Sequence, residues 1–484
     1  MDAAVIVAGA GPTGLTLAGE LRLAGVDVIV VDRLPARTGE SRGIGLTLRT
    51  TEVLDQRGLL GRFGAVETGS AGHFGGIPLD LTVLGAPLEA PRVVPQSTTE
   101  AVLEGWAREL GADIRRGHEV VGLDSDADGV TVHFAEHAPL RAGYLVGADG
   151  GRSVVRKAAG FDFPGTPATT ELLLADVRGV EIAPRMIGQQ VSGGMVMSAP
   201  LPGGAYRIIV GERGAAPRRR TGPPDFAEVA DVWKRLTDVD ISHAEPVWVS
   251  AFGDAARLVT EYRRGRVLVA GDAAHVHLPA GGQGMNTGIQ DAVNLGWKLA
   301  AVSRGRAPAT LLDTYHGERH PVGQRLLANT KAQSLFILGG EEVGPLREVL
   351  RELVAYPEVE RHLAARVTGL DIRYDVGGGS HPLLGARLPR RRLVRGAHAT
   401  DTAALLRPGR GVLLDLTDNP ALRRRAQPWT DRVDVVTATA TEPIDADART
   451  TALLVRPDGH VAWVAPGTHD DLPTVLDRWF GPAR

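Results

Sequence analysis

Apolar residues fall along this chain in three rhythms. The first is a strand–turn–helix beat. Ala3 to Val7 form an unbroken apolar run, and "LTLAGELRLAG" follows with Leu15, Leu17, Ala18, Leu21 and Leu23 on one broad face. That order predicts a buried strand and then a helix. "VDVIVVD" predicts a second buried strand ending at Asp32. The beat returns in "YLVGADGGRSVVRKAAG", Tyr144 to Gly160, where a strand enters Gly147, Gly150 and Gly151 before a helix carrying Ser153 and Arg156. It returns again in "GRVLVAGDAAHVHLPAGGQGMNTGIQDAVNLGWKLA". Here a strand ends at Asp272, Pro279 and a glycine cluster follow, and Ile289, Ala292, Val293 and Leu295 to Leu299 mark the buried face of a helix.

The second rhythm is shorter. Between Asp162 and Arg266, "ATTELLLADVRGV", "GGMVMSAPLPGGAYRIIVGE" and "HAEPVWVSAF" are alternating or apolar runs broken by Gly and Pro, as antiparallel strands are. "FAEVADVWKRLT" interrupts them as one helix, and the arginine-rich "RGAAPRRRTGPP" is expected as an exposed turn. The third rhythm is helical, from Leu311 to about Leu370, with "LLDTYHGERHPVGQRLLANTKAQSLFIL" its longest stretch. Composition then shifts near 377–395. The last hundred residues, through "GRGVLLDLTD", "RVDVVTAT", "TALLVRPDGHVAWVAPG" and "LPTVLDRWF", alternate strand and helix signals as a small α/β unit does.

Composition removes several classes. A net charge of −3 over 484 residues argues against nucleic acid or an acidic membrane as partner. No run of 18 apolar residues is present, and the first residues lack a basic segment ahead of an apolar one, so a cytoplasmic protein is expected. Cysteine is absent, which excludes disulfides, thiolate metal sites and cysteine nucleophiles. His275 and His277 stand two apart without a carboxylate at metal-ligand spacing, so no metal site is expected. Glycine is the informative excess: 61 residues, close to twice the usual ~7%.

The glycines sit where phosphates and sugars are bound. Gly9, Gly11 and Gly14 follow the first strand, and Asp32 ends the second strand 18 residues after Gly14. This is the order of a dinucleotide-binding unit: a tight turn, open backbone for a pyrophosphate, close helix–strand packing, and an acid for a ribose hydroxyl. Arg33, and Arg42 in "GESRGIGL", offer guanidinium forks for phosphate or are surface charges. Asp149 binds a ligand hydroxyl or caps the helix just ahead of it. Asp272 suits a hydroxyl or a phosphate-linked sugar. Beyond Pro279, the amides near Gly284 to Thr287 open a helix toward an electron-rich group. In "HFGG", His73, Phe74 and Gly75 line a substrate cavity or shape a loop.

Taken together, GxGxxG, "DGGRSVVR" and "GDAAHVHLPAGGQGMNTGIQDAVNLGWKL" resemble the flavoprotein aromatic hydroxylases of the para-hydroxybenzoate hydroxylase class. "RGHEV", "AGFDFPGT", "AEPVWVSAFGDAARLVTEYRRGRV" and "YDVGGGSHPLLG" extend the likeness over essentially the whole chain, toward bacterial angucycline and aromatic-polyketide hydroxylases. The resemblance implies an α/β chain with α+β elements. Its parts would be a discontinuous Rossmann-like FAD-binding domain (1–165 with 257–320), antiparallel-sheet substrate segments (70–100 and 166–256), a helical connection (321–380) and a thioredoxin-like domain (390–484). Without cysteines that last domain cannot run dithiol chemistry.

By the same resemblance, Gly9, Gly11, Gly14 and Asp32 would hold the ADP half of FAD. Asp149 would lie near the cofactor and nicotinamide region, and Asp272 would bind the ribityl–pyrophosphate portion. Pro279, Gly284, Met285 and Asn286 would flank the isoalloxazine, with Arg42 and Gln96 beside it. Arg42, Pro279 and Gly284 would act by positioning the flavin; no residue is assigned as an acid or base. Asp32 stands where many relatives carry glutamate, a shorter reach for the same task.

The implied reaction is NAD(P)H-dependent hydroxylation of a polycyclic aromatic polyketide through a flavin C4a-hydroperoxide. NADPH is favoured over NADH as a transient reductant, O₂ is the cosubstrate, and the protein is a monomer or a homodimer. No second GxGxxG unit for the nicotinamide is present. Two alternatives share the scaffold: Baeyer–Villiger oxygenation of a related polyketide quinone, and a non-catalytic flavin-bearing partner subunit.

Overall fold

The computed structural model describes residues 1–85, 91–201, 203–445 and 449–483. Its first unit is built around β1 (Ala3–Ala8), α1 (Pro12–Leu23), β2 (Val28–Asp32) and α2 (Leu48–Gln56). A hairpin of β3 (Ala71–Phe74) and β4 (Ile77–Asp80), then α3 (Gln96–Glu109), β5 (Asp113–Arg116), β6 (Leu140–Gly147) and α4 (Val154–Ala158) complete it. β5, β2, β1 and β6 lie side by side in parallel, with Val5 of β1 opposite Tyr144 on one side and Val28 on the other. Val5, Ile6 and Val7 are fully buried, as the unbroken apolar run requires of a strand covered on both faces. α1 is pressed on hard: a Cβ on Gly19 would fall 2.1 Å from the Trp106 ring of α3, and one on Gly14 would fall 1.9 Å from the Gly9 carbonyl oxygen.

The middle of the chain forms a five-stranded antiparallel sheet. Its strands are β7 (Glu171–Arg178), β8 (Arg185–Val191), β9 (Gly194–Leu201), β10 (Ala205–Glu212) and, after α5 (Phe226–Thr237), β11 (Glu245–Gly253). The spatial order is β8–β9–β10–β7–β11. Alternation sends Leu173, Ala175, Val177, Val196, Ile208 and Val210 to one face, where they pack on Val229, Val232 and Trp233 of α5. The opposite face is not apolar throughout, and it roofs the site described below.

The chain then returns to the first unit. β12 (Val267–Val269) pairs in parallel with β6, and α6 (Gln283–Ser303) lies against α1. The strand ends at Val269, three residues short of the expected Asp272, because a tight turn over Gly271–Ala273 follows, with Gly271 at φ +61°. α7 (Asp313–Leu338), α8 (Gly344–Val354) and α9 (Pro357–Thr368) supply the helical stretch.

The 70–100 segment differs from expectation. Among the described residues β3 and β4 pair only with each other, and Phe74, Ile77 and Leu79 pack on Phe336, Val354 and Val367 of the helical stretch. α3 opens at Gln96 and packs on α1, so its first turn belongs with the parallel sheet. Residues 86–90 of that segment lie outside the described residues.

The C-terminal unit holds β13 (Gly411–Asp415), α10 (Pro420–Ala426), β14 (Val433–Thr437), β15 (Ala452–Val455), β16 (Val461–Ala465) and α11 (Leu472–Phe480). The sheet order is β14–β13–β15–β16, with only the first pair parallel. Its core takes in Trp297 from α6. Buried charges make the joint. Fully buried Arg456 donates to Glu318 Oε1 and Oε2 at 2.5 and 2.9 Å, and Glu318 also accepts from Lys298 Nζ at 2.7 Å. Arg57 forks onto Glu20 at 2.6 and 2.8 Å and reaches the Pro457 carbonyl at 2.9 Å. Among the described residues no helix is long and apolar enough to cross a membrane.

Candidate cofactor and substrate site

The three glycine motifs meet at the carboxyl ends of β1, β6 and β12 in the parallel sheet. In the first, Gly9 takes φ +108°, and a Cβ there would lie 2.2 Å from the Ala148 carbonyl oxygen of the second motif. A Cβ on Gly11 would meet nothing within 4 Å. The turn is thus locked on its protein side and open on its other side, the shape a pyrophosphate needs. Asp32 braces it from β2: Oδ2 accepts from Ala10 N at 2.7 Å and Oδ1 from Leu34 N at 2.8 Å. Arg33 is exposed.

In the second motif, Asp149 Oδ2 accepts from Val154 N and Val155 N at 2.7 and 3.1 Å, which is the capping alternative. Its Oδ1 is buried with no hydrogen-bond partner among the described residues, so one carboxylate oxygen still lacks a donor. Gly150, at φ +80°, also opens onto free space. Arg156 lies 3.9 Å from the centroid of the Phe163 ring and donates to the carbonyls of Gly151 and Ala273 at 2.9 and 3.0 Å, tying the second motif to the third.

The third motif is held from behind by a buried ion cluster that local sequence reading missed. Asp291 of α6 accepts from Gly271 N at 3.0 Å, from His275 Nε2 at 2.8 Å and from Arg319 Nε at 2.6 Å. Burial pushes the Asp291 pKa up, but Arg319 and His275 outweigh it and the carboxyl titrates below its ordinary value. His275 therefore does have a carboxylate partner, one supplied 16 residues later. An acid inside an otherwise apolar helix face, in "GIQDAV", was the available signal.

In front of this cluster, Asp272 is exposed in a recess beside His277 and Gly284. Desolvation raises its pKa against the pull of His275 and Arg42. His277 donates from Nδ1 to the Leu278 carbonyl at 2.7 Å, and burial, aided by His275, holds its pKa down at about 4. It is neutral near pH 7, so Nε2 is an acceptor. A Cβ on Gly284 would lie 3.5 Å from that Nε2 and 4.0 Å from Asp272 Oδ1, so glycine keeps the recess open.

After Pro279, Gly281 and Gly282 take φ +68° and +65° and turn the chain into α6. Asn286 then clamps the Arg42 loop: Oδ1 accepts from Thr47 N at 2.9 Å, and Nδ2 donates to Gly45 O at 3.2 Å and Gly282 O at 2.8 Å. Gln96 Oε1 accepts from Gly43 N at 3.2 Å, and a Cβ on Gly43 would be 3.5 Å from Met285 Cε. Arg42, Gln96, Met285 and Asn286 are thereby brought together, and the Arg42 side chain is exposed without an ion pair among the described residues.

The inner face of the antiparallel sheet covers this ground in registered rows. One row aligns Met195, Gly211, Leu172 and Phe252, the next Met197, Ile209, Leu174 and Ser250, and the third Ala199, Arg207, Asp176 and Trp248. The first row packs with Leu278, Ala280 and Ile337 beside the α6 entry. In the third, Arg207 forks onto Asp176 at 2.8 and 2.8 Å and donates to the Arg42 carbonyl at 3.0 Å. The roof is thus pinned at both ends over the motif loops.

The "HFGG" residues divide. Phe74 is buried 6.4 Å from the Phe336 ring centroid, where the helical stretch offers it an apolar partner. His73 is half-buried, and its Nδ1 accepts from Gly76 N at 3.4 Å. Gly75 and Gly76 form the hairpin turn and border a cavity of about 490 Å³ against β8 and Phe336.

Residues 2–330 match the model of an FAD binding domain family, and residues 381–483 match the C-terminal region of aromatic-ring hydroxylases. The chain belongs to the FAD-dependent aromatic-ring hydroxylases. It is 44% identical over 490 residues to rifampicin monooxygenase from Streptomyces venezuelae, covering 99% of each chain. Among solved structures it is 68% identical to BexE, described with oxidation during BE-7585A biosynthesis, at a TM-score of 0.96. It is 62% identical to CabE, an aromatic hydroxylase from angucycline biosynthesis, at a TM-score of 0.97. Both alignments cover each chain completely. The family resemblance is therefore established along the whole chain, and with it FAD as cofactor and flavin-dependent monooxygenation as the reaction class.

Proposed function

We propose that this chain hydroxylates a polycyclic aromatic polyketide of the angucycline type, with FAD as cofactor, NADPH as reductant and O₂ as cosubstrate. The observation that carries the reading is the registered, largely apolar sheet face pinned over the three glycine motifs, a surface suited to a flat ligand beside the cofactor recess. The open side of Gly11 and the unpaired Asp149 oxygen fit a large anionic ligand rich in hydroxyl groups.

On this reading Gly9, Gly11 and Gly14 admit the pyrophosphate, Asp32 faces the adenosine ribose, and Asp149 and Asp272 accept from ligand hydroxyls. Arg33 remains a surface charge at the entrance. FAD, when bound, supplies the two-electron chemistry that activates O₂. The protein's own share is geometric and electrostatic. The first amides of α6, from Gly284 to Asn286, stabilise negative charge, while Pro279, Met285 and the Gln96–Arg42 loop fix the ring's position. Leu172, Leu174, Ile209 and Phe252 keep water from the reacting carbon, which favours oxygen transfer over loss as hydrogen peroxide. The C-terminal unit has a structural role.

The test mixes the purified holoenzyme with NADPH and an angucyclinone in air, following NADPH loss and product mass. A gain of one oxygen as a new phenol or quinone supports the proposal, whereas a ring-expanded lactone reassigns the chemistry. NADPH consumption that yields only hydrogen peroxide removes the substrate class.

A further inference from the structure

The inner face of the antiparallel sheet is chemically lopsided. Its β9 side carries the thioethers of Met195 and Met197, its centre carries Leu172, Leu174 and Ile209, and its β11 side carries Trp248 and Ser250. The direction of these β11 side chains is settled by their neighbours. Val249 and Ala251 pack into the core beneath α5, and Phe252 packs into the cluster beside Leu278, so Trp248 and Ser250 share the inner face with Phe252. Both are half-buried, while Leu174 across the pair from Ser250 is buried.

Neither the Trp248 indole N–H nor the Ser250 hydroxyl has a hydrogen-bond partner among the described residues. Arg207, 5.6 Å from the Trp248 ring, is not a competing ligand group: it is 1% exposed and its donors go to Asp176 and the Arg42 carbonyl. Two adjacent rows therefore end, at the same edge of the sheet, in donor-bearing side chains on the inner face. Such donors discriminate strongly once a ligand covers them, because a ligand that leaves them unmet displaces their water without replacing it.

We infer that Trp248 and Ser250 are specificity-determining residues that bind oxygen substituents along one edge of the polycycle, leaving its hydrocarbon edge to Met195 and Met197. The inference rests on the proposed substrate class and adds an orientation to it. By fixing which edge lies toward β11, the pair sets which carbon is presented for hydroxylation.

The experiment compares two probes on the FAD-loaded protein: a benz[a]anthraquinone bearing a phenolic hydroxyl and the same ring system without it. Binding is read from the perturbed flavin absorbance. The wild-type protein is expected to prefer the hydroxylated ring, and Ser250→Ala and Trp248→Phe are each expected to reduce that preference about tenfold, the worth of one hydrogen bond. In turnover, the two donor variants are expected to spread product over regioisomers, with retained FAD content showing that the fold is intact. Preference and product ratio unchanged in the Ser250→Ala, Trp248→Phe double variant overturn this inference alone. If neither ring system binds the wild-type holoenzyme, the substrate reading falls and takes this inference with it.

Discussion

Replacing Arg319 with methionine removes the cation that keeps Asp291 ionised, and the consequence has a sign that pH can reveal. Arg319 Nε is 2.6 Å from Asp291 Oδ1, and both side chains are at most 1% exposed. Removing one member of such a buried pair costs about 3–5 kcal/mol, mostly as an uncompensated charge. In the wild-type chain Asp291 has a folded pKa below its ordinary 3.8. Its contribution is therefore complete above the unfolded pKa and lost as pH falls through the folded one. In Arg319→Met, burial acts against a weaker opposing pull, so the ionised carboxylate becomes the costly form and stability falls as pH rises. The stability gap between variant and wild type should be widest near neutral pH and narrow toward pH ~5. Urea unfolding followed by tryptophan fluorescence measures it, using the first cooperative transition of each protein. FAD release should accompany that transition, because Asp291 also holds the Gly271 amide at 3.0 Å. A gap of equal size at both pH values would show lost packing instead and refute the electrostatic reasoning.

Three further outcomes are expected. Gly11→Ala should fold normally yet bind FAD at least about tenfold more weakly by fluorescence titration, since its Cβ meets no protein atom, whereas Gly14→Ala should destabilise the apoprotein itself by driving α1 off the Gly9 carbonyl. Arg207→Leu leaves Asp176 buried without its fork and frees the Arg42 carbonyl, so the thermal midpoint should fall and NADPH oxidation should shift toward hydrogen peroxide in a peroxidase-coupled assay. Asn286→Leu removes three hydrogen bonds between α6 and the 45–47 and 282 backbone, and weaker FAD retention on gel filtration should result without loss of helical circular dichroism.

The strand–glycine–helix motifs were legible because their physics is local. A buried parallel strand reads as an unbroken apolar run, and a phosphate turn needs bare backbone within a few residues of a helix start. Family membership followed from three such motifs in order. The roof was not legible. Which face of an alternating strand points inward depends on what covers the other face, and only α5, packed against Leu173, Ala175 and Val177, decides it. The Arg207–Asp176 pair joins residues 31 apart through strand register, which no local pattern carries. The seat of Phe74 was hidden for the same reason: its partner Phe336 lies on a helix far along the chain.

The C-terminal unit illustrates how distant parts act on the site. Glu318 and Arg319 are neighbours on α7, yet they serve different networks. Arg319 holds Asp291 behind the Gly271 turn and donates to the Tyr374 hydroxyl at 3.0 Å, while Glu318 receives Arg456 from the C-terminal unit. Tyr374 in turn packs on His460, 4.2 Å between centroids, two residues beyond Asp458, which pairs with Arg456. One turn of helix thus joins the cofactor recess to the interface that seats the C-terminal unit. Independent sites would give additive losses of FAD affinity in Arg319→Met and Arg456→Met, whereas a shared network gives a double variant that departs from additivity by about 0.5–3 kcal/mol. A double-mutant cycle on FAD affinity measures that difference. Strict additivity would mean that the C-terminal unit is seated without reference to the recess, and the two networks would then be neighbours only in space.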